Sequence, residues 1–183
     1  MKRFLLALFL GIILVGCATT TFDSEGRQLT KTDVQRVTAN VVKQRLEQRR
    51  YRIFVDFMYP SRTPSIHLTD DWGVEVSGDS IGLFLPYFGR VYMAPVGKGP
   101  GMLFISPLKS YKETIAKDGH HQIVAECRHD MDNYQVIMDI YNNGAADVCV
   151  INSNRESIRY SGKVDMDGVF FSSKEAAAKR KQQ

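Results

Sequence analysis

Catalytic and metal chemistry have little to work with in this chain. Only 3 cysteines, 4 histidines and 1 tryptophan occur among its 183 residues. No Cys-x-x-Cys or His-x-His pair is present, which removes the usual ligand spacing of a structural zinc site. No Gly-x-Ser-x-Gly elbow offers a nucleophilic serine. Long apolar runs are missing too. The longest, residues 4–15, falls short of the about 20 residues that a membrane-crossing helix needs.

A surplus of one charge is also lacking once the termini are set aside. Lysine and arginine outnumber aspartate and glutamate by 24 to 20, a net charge of +4. Lys2 and Arg3 supply half of that surplus, and Lys174, Lys179, Arg180 and Lys181 face only Glu175 near the C-terminus. The stretch between is close to neutral. A nucleic-acid partner is therefore not expected, because it needs basic charge clustered on a folded surface.

What is present begins with the leader. Lys2 and Arg3 precede the apolar run, the arrangement of a secretory signal. The run ends in Leu14-Val15-Gly16-Cys17, which resembles the lipobox of bacterial lipoproteins: a small residue stands just before the cysteine whose thiol takes the diacylglycerol group. Residues 1–16 read as a lipoprotein signal peptide, with Cys17 as the lipid attachment site. A triacylated cysteine meets the requirement that stable anchoring takes more than one chain. Ala18 stands where an aspartate would mark inner-membrane retention, so the expected address is the outer membrane of the cell envelope. Residues 17–30, polar and aperiodic, read as the lipidated N-terminus and tether.

One domain is expected over residues 31–167, with a basic flexible tail at 168–183. A helix is predicted from about Lys31 to Gln48, with Thr30 and Asp33 in a capping arrangement. Val34, Val37, Val41, Val42 and Leu46 fall on one side of it. From Tyr51 onward the sequence reads as strands, at 51–59, 65–69, 72–77, 80–85, 90–94, 102–106, 111–117, 122–128, 134–141, 145–152 and 157–164. Asp118-Gly119 and Asn142-Asn143-Gly144 are hairpin turns. The expected fold is α+β: an N-terminal helix on a curved, mainly antiparallel sheet of about eight strands, with a half-open barrel as an allowed shape. Strands 122–128 and 145–152 both flank 134–141, which holds them about 9–10 Å apart. That exceeds the roughly 7 Å between Cα atoms that a disulfide permits. Cys127 and Cys149 should be free thiols on opposite faces.

Several clusters invite chemistry and read more simply as structure. His120 and His121 point to opposite faces of a strand, and His121 and His129 lie about 26 Å apart along it. Neither they nor Cys127 build a metal site, and no cofactor is expected. Gly97-Lys98-Gly99-Pro100-Gly101 lacks the Ser or Thr and the helix that a phosphate loop requires. Asp70-Asp71 and Asp165-x-Asp167 sit at strand ends, where aspartates bond nearby backbone amides. Arg45, Arg49, Arg50 and Arg52 read as a solvated helix end and strand start, with anionic headgroups as the other reading.

One segment breaks the strand alternation, residues 83–95, with four aromatic rings around Pro86, Gly89, Arg90 and Pro95. Tyr and Arg are residues that anchor interfaces. Tyr87, Phe88, Arg90 and Tyr92 are the candidate partner-binding residues, against the plainer reading that the rings fill the core.

The same segment, Leu85-Pro86-Tyr87-Phe88-Gly89-Arg90-x-Tyr92-x-Ala94-Pro95, resembles the signature of the domain-of-unknown-function 4251 lipoproteins, found mainly in Bacteroidetes. Arg49-Arg50-Tyr51, Leu68-Thr69 before Trp72, Gly78-Asp79-Ser80 and the stretch from Ile151 to Gly162 match as well. The resemblance implies a helix-plus-antiparallel-sheet domain and an envelope location, and it implies no activity. The expectation is a binding or structural module rather than an enzyme, joined to the membrane through Cys17 and meeting an envelope protein or glycan. The alternatives are a carrier with an apolar cavity lined by Phe54, Phe57, Phe84 and Phe104, or an unrecognised hydrolase.

Overall fold

The computed structural model describes residues 30–93 and 101–167. Residues 1–29, with the expected leader, Cys17 and expected tether, residues 94–100, and residues 168–183, the expected tail, lie outside the described residues. The chain divides into two units, Met1–Val34 and Gln35–Gln183. In the first, Thr30 and Asp33 form the anticipated cap: the Asp33 amide donates to Thr30 Oγ1 at 3.2 Å and the Thr30 amide to the Asp33 carboxylate at 3.3 Å.

Helix α1 (Lys31–Glu47) leads into nine strands: β1 (Arg50–Tyr59), β2 (Ile66–His67), β3 (Gly73–Ser77), β4 (Ser80–Leu85), β5 (Met102–Ile115), β6 (His121–His129), β7 (Asp132–Ile140), β8 (Ala145–Asn152) and β9 (Arg155–Val164). All neighbours are antiparallel. From β3 to β9 each strand pairs with the next, and β9 pairs back onto β1. The curved sheet thus closes into an eight-strand barrel, with β2 as an extra strand beside the far half of β1. No helix of the described residues is long and apolar enough to cross a membrane.

Two sequence expectations shift. The strands expected at 102–106 and 111–117 merge into one, β5, of 14 residues that runs through Pro107 and ends at Ile115. Pro107 pairs with Ser80, the first residue of β4, next to the bulge at Leu108–Ser110, where a strand tolerates proline. Of the strand expected at 90–94, the described residues 90–93 form none, and only Val91 makes an isolated bridge, to Arg155.

The core is the barrel lumen. Ile53 and Val55 alternate inward on β1, Ile81, Leu83 and Leu85 on β4, and Val136, Met138 and Ile140 on β7. A large side chain such as leucine gains about 1.5–3 kcal/mol on full burial, so this closed stack is the main stabilising element. One end of the lumen, where β1 and β6 begin and β9 finishes, is covered by the second half of α1. Val42 and Leu46 are buried there, whereas Val37 further up the helix is exposed. The apolar stripe read from sequence is therefore used only in its last turns. Arg49, in the left-handed region at φ 47°, turns the chain from helix into strand.

Candidate functional site

The other end of the lumen is closed by residues 86–93, the segment that breaks strand alternation in the sequence. Pro86 stops β4, and its carbonyl accepts a hydrogen bond from the Tyr160 hydroxyl at 2.7 Å. The Tyr87 ring drops into the barrel mouth and is 4% exposed. Its hydroxyl lies 2.8 Å from the Arg90 carbonyl and 2.9 Å from the Glu156 carbonyl, sharing one proton between them. Burial raises the Tyr87 pKa, and the Glu156 carboxylate adds to the effect, so the hydroxyl keeps its proton at neutral pH. The guanidinium of Arg155 lies 5.4 Å from the centre of the same ring, within cation–π range.

Gly89 is required by this arrangement, because a Cβ there would meet the Tyr87 hydroxyl at 2.6 Å. The loop backbone is then tied to the β8–β9 turn. Glu156 N donates to Arg90 O at 3.0 Å, Arg90 N to the Glu156 carboxylate at 3.3 Å, and Tyr92 N to Asn154 O at 2.8 Å. Asn154 in turn donates through its side-chain amide to Asp132 on β7.

The candidate residues are thereby divided. Tyr87 is not available to a partner: it is the plug of the lumen, corrected from the surface role the sequence proposed because its ring is the apolar body that seals the mouth. Phe88, Arg90 and Tyr92 are exposed, Phe88 and Tyr92 by 62% and 64%. Met93 beside them, Leu103 at the start of β5 and Met131 in the β6–β7 turn are exposed apolar residues at the same barrel end. The residues that pin the loop, Asn154, Glu156 and Tyr160, were not assigned that role from sequence. Their signal was their place in the 151–162 stretch that accompanies the aromatic segment.

The other clusters take structural places. His120 Nδ1 lies 2.6 Å from Asp118 and Nε2 3.4 Å from Asp139, while His121 Nδ1 lies 2.7 Å from Glu113. His129 stacks on Phe104 at 4.1 Å, at the far end of β6. Cys127 faces the lumen and Cys149 the outside, both free, as the register argument required. Asp165 makes the expected turn bond, accepting from the Asp167 amide at 2.8 Å.

Arg52 departs from its solvated reading: it is 2% exposed, stacks 3.8 Å over Phe54 and holds Asp71 at 2.6 Å. Asp71 is thus an ion-pair partner rather than only a turn residue. The four phenylalanines of the carrier reading do not line one cavity. Phe104 faces the lumen, whereas Phe54, Phe57 and Phe84 lie on the outer face, Phe84 across Gly82.

Comparison with known proteins agrees with this architecture. A crystal structure of a DUF4251 family protein from Bacteroides eggerthii DSM 20697 superposes with a TM-score of 0.52 at 14% identity, over 70% of this chain and 87% of that one. This likeness is one of fold. No curated protein matches the sequence. The family profile described as Domain of unknown function (DUF4251) matches residues 34–164, from within α1 to the end of the closing strand, and the chain belongs to that family.

Proposed function

We propose that this chain is a lipid-anchored cell-envelope protein that uses the exposed loop residues Phe88, Arg90 and Tyr92 to bind a partner protein. One observation carries the reading: two large aromatic rings flanking an arginine stand in solvent on a backbone that Tyr87, Glu156 and Asn154 hold fixed. Aromatic and arginine side chains anchor interfaces. A fixed loop loses little further freedom on binding, which preserves affinity. The neighbouring exposed Met93, Leu103 and Met131 supply apolar contact at the same end. The membrane part of the reading rests on Lys2, Arg3, the apolar run and Cys17 in its lipobox-like setting.

The test is crosslinking and pull-down of the anchored protein from its own membranes, beside an Arg90→Ala, Tyr92→Ala double variant. A specific crosslinked protein is expected with the wild type and lost with the variant. A folded variant that keeps every partner refutes the loop's role. Acyl labelling tests the anchor separately: Cys17→Ser should abolish it, and persistent labelling would refute the lipid site.

A further inference from the structure

The outer wall of the barrel carries a second candidate site, away from the loop. Two shallow depressions of about 470 and 270 Å³ share Tyr59, Cys149 and Arg159 and form one groove across β1, β9, β8 and β7. The register sets the side chains in two rows. Tyr59, Arg159 and Cys149 are direct neighbours on three adjacent strands. Two residues along, Ser161, Asp147 and Asp139 form the next row. At a strand spacing near 4.8 Å, the groove spans about 14 Å from β1 to β7.

The lining has a definite chemistry. Tyr59, Ser61, Thr63, Ser65 and Ser157 bring hydroxyls to the larger depression. Tyr59 is 38% exposed, and its hydroxyl is 2.9 Å from Ser161 Oγ. Asp139 and Asp147 face each other directly across the strands, a like-charge placement that costs stability. Asp139 accepts from Gln122 Nε2 at 2.9 Å and lies 3.4 Å from His120. Asp147 and Arg159 stand in solvent, and the described residues give neither side chain a hydrogen bond or an ion pair.

Ligand classes sort against this set. Two carboxylates beside one guanidinium repel an anion. Among the described residues no group of three ligating side chains exists to hold a metal ion. An apolar ligand would strand the hydroxyls and charges without partners. A neutral polyhydroxylated ligand satisfies all of them: its hydroxyls donate to Asp147 and accept from Arg159 in charge-assisted bonds, and its C–H face covers the Tyr59 ring. We propose that this groove is a saccharide-binding site, with Asp147, Arg159 and Tyr59 as its specificity-determining residues. The proposal stands independently of the loop's partner.

Cys149 provides the readout. It is the half-buried thiol inside the groove, whereas Cys127 is buried in the lumen. The full-length protein is treated with iodoacetamide at mildly alkaline pH, with and without chitotetraose, maltotetraose or mannotetraose, and each cysteine peptide is followed by mass spectrometry. At least one tetrasaccharide should slow alkylation of Cys149 and leave Cys127 unchanged. In calorimetry with that sugar, Asp147→Asn and Arg159→Ala should each weaken binding about tenfold or more, as loss of a charged hydrogen bond implies. Phe88→Ala should leave binding unchanged. Failure of all three sugars to protect Cys149 overturns the proposal, as does protection by a cationic peptide alone. Binding that ignores both groove variants also overturns it.

Discussion

Arg52 shows how far a single side chain can depart from its local sequence context. It sits among Arg45, Arg49 and Arg50, which remain exposed or half-exposed, yet its own side chain is 1% exposed. Burial lowers its pKa, and the Asp71 hydrogen bond together with the fields of Asp71, Asp165 and Glu75 opposes that shift. Arg52→Ala leaves the buried carboxylates of Glu75 and Asp165 without this compensating charge, and a buried charge left uncompensated costs about 3–5 kcal/mol. Arg52→Ala should lose stability of that order in urea unfolding, with an unchanged denaturant slope. Asp71→Asn should cost about 1 kcal/mol or less, because Asp71 is 65% exposed and its partner keeps other acidic neighbours. Equal losses would contradict this division. The sequence held one clue, an arginine between Tyr51 and Ile53 in a strand-forming run. Its acidic partner 19 residues away could be found only by folding the chain.

At the scale of elements, hairpins were legible and the capping loop was not. Asp118-Gly119 and Asn142-Asn143-Gly144 place glycines where the backbone adopts positive φ, 85° at Gly119 and 84° at Gly144. Turn chemistry is local, and the strands on either side follow from it. Residues 86–93 have no such local rule, because their conformation is set by Glu156, Asn154 and Tyr160, some 65 residues further along. Composition alone marked the segment as unusual and left core against surface open, and the fold answers with one ring inward and two outward. Tyr87→Phe keeps the plug and removes the hydroxyl that ties Arg90 to Glu156. It should cost about 1–2 kcal/mol. Amide exchange should accelerate at Tyr92 and Glu156 while the β6–β7 hairpin is unaffected. Unchanged exchange in the loop would show that the remaining backbone bonds suffice to hold it.

At the scale of the molecule, closure between the first and last strands was the least legible feature. An open sheet and a barrel show the same alternation, and β1 and β9 lie about a hundred residues apart, so no short-range pattern announces their pairing. Gly162 is the residue that permits it. A Cβ there would overlap the Phe54 carbonyl next to the bulge between Val55 and Phe57, so Gly162→Ala must push the seam apart. A loss of about 1–3 kcal/mol is expected by thermal unfolding, the usual range for overpacking. Closure also determines how the protein responds to alkali. Burial in and around the lumen raises the pKa of Tyr51, Tyr111 and Tyr160, raises Tyr134 to about 12, and raises the Cys127 thiol to about 11. In an unfolded chain these groups ionise near their ordinary values, about 8.5 for cysteine and about 10 for tyrosine. Between those values and the raised ones, the unfolded state binds fewer protons than the folded state, so stability falls as pH rises. The contribution is fully present below about pH 8.5 and is lost progressively up to about pH 12. The urea midpoint should therefore decline through that window. Tyrosinate absorbance should rise in two stages, exposed phenols first and the buried ones only as the barrel opens. A single titration centred near pH 10 in protein that is still folded would mean that the lumen does not shield its tyrosines.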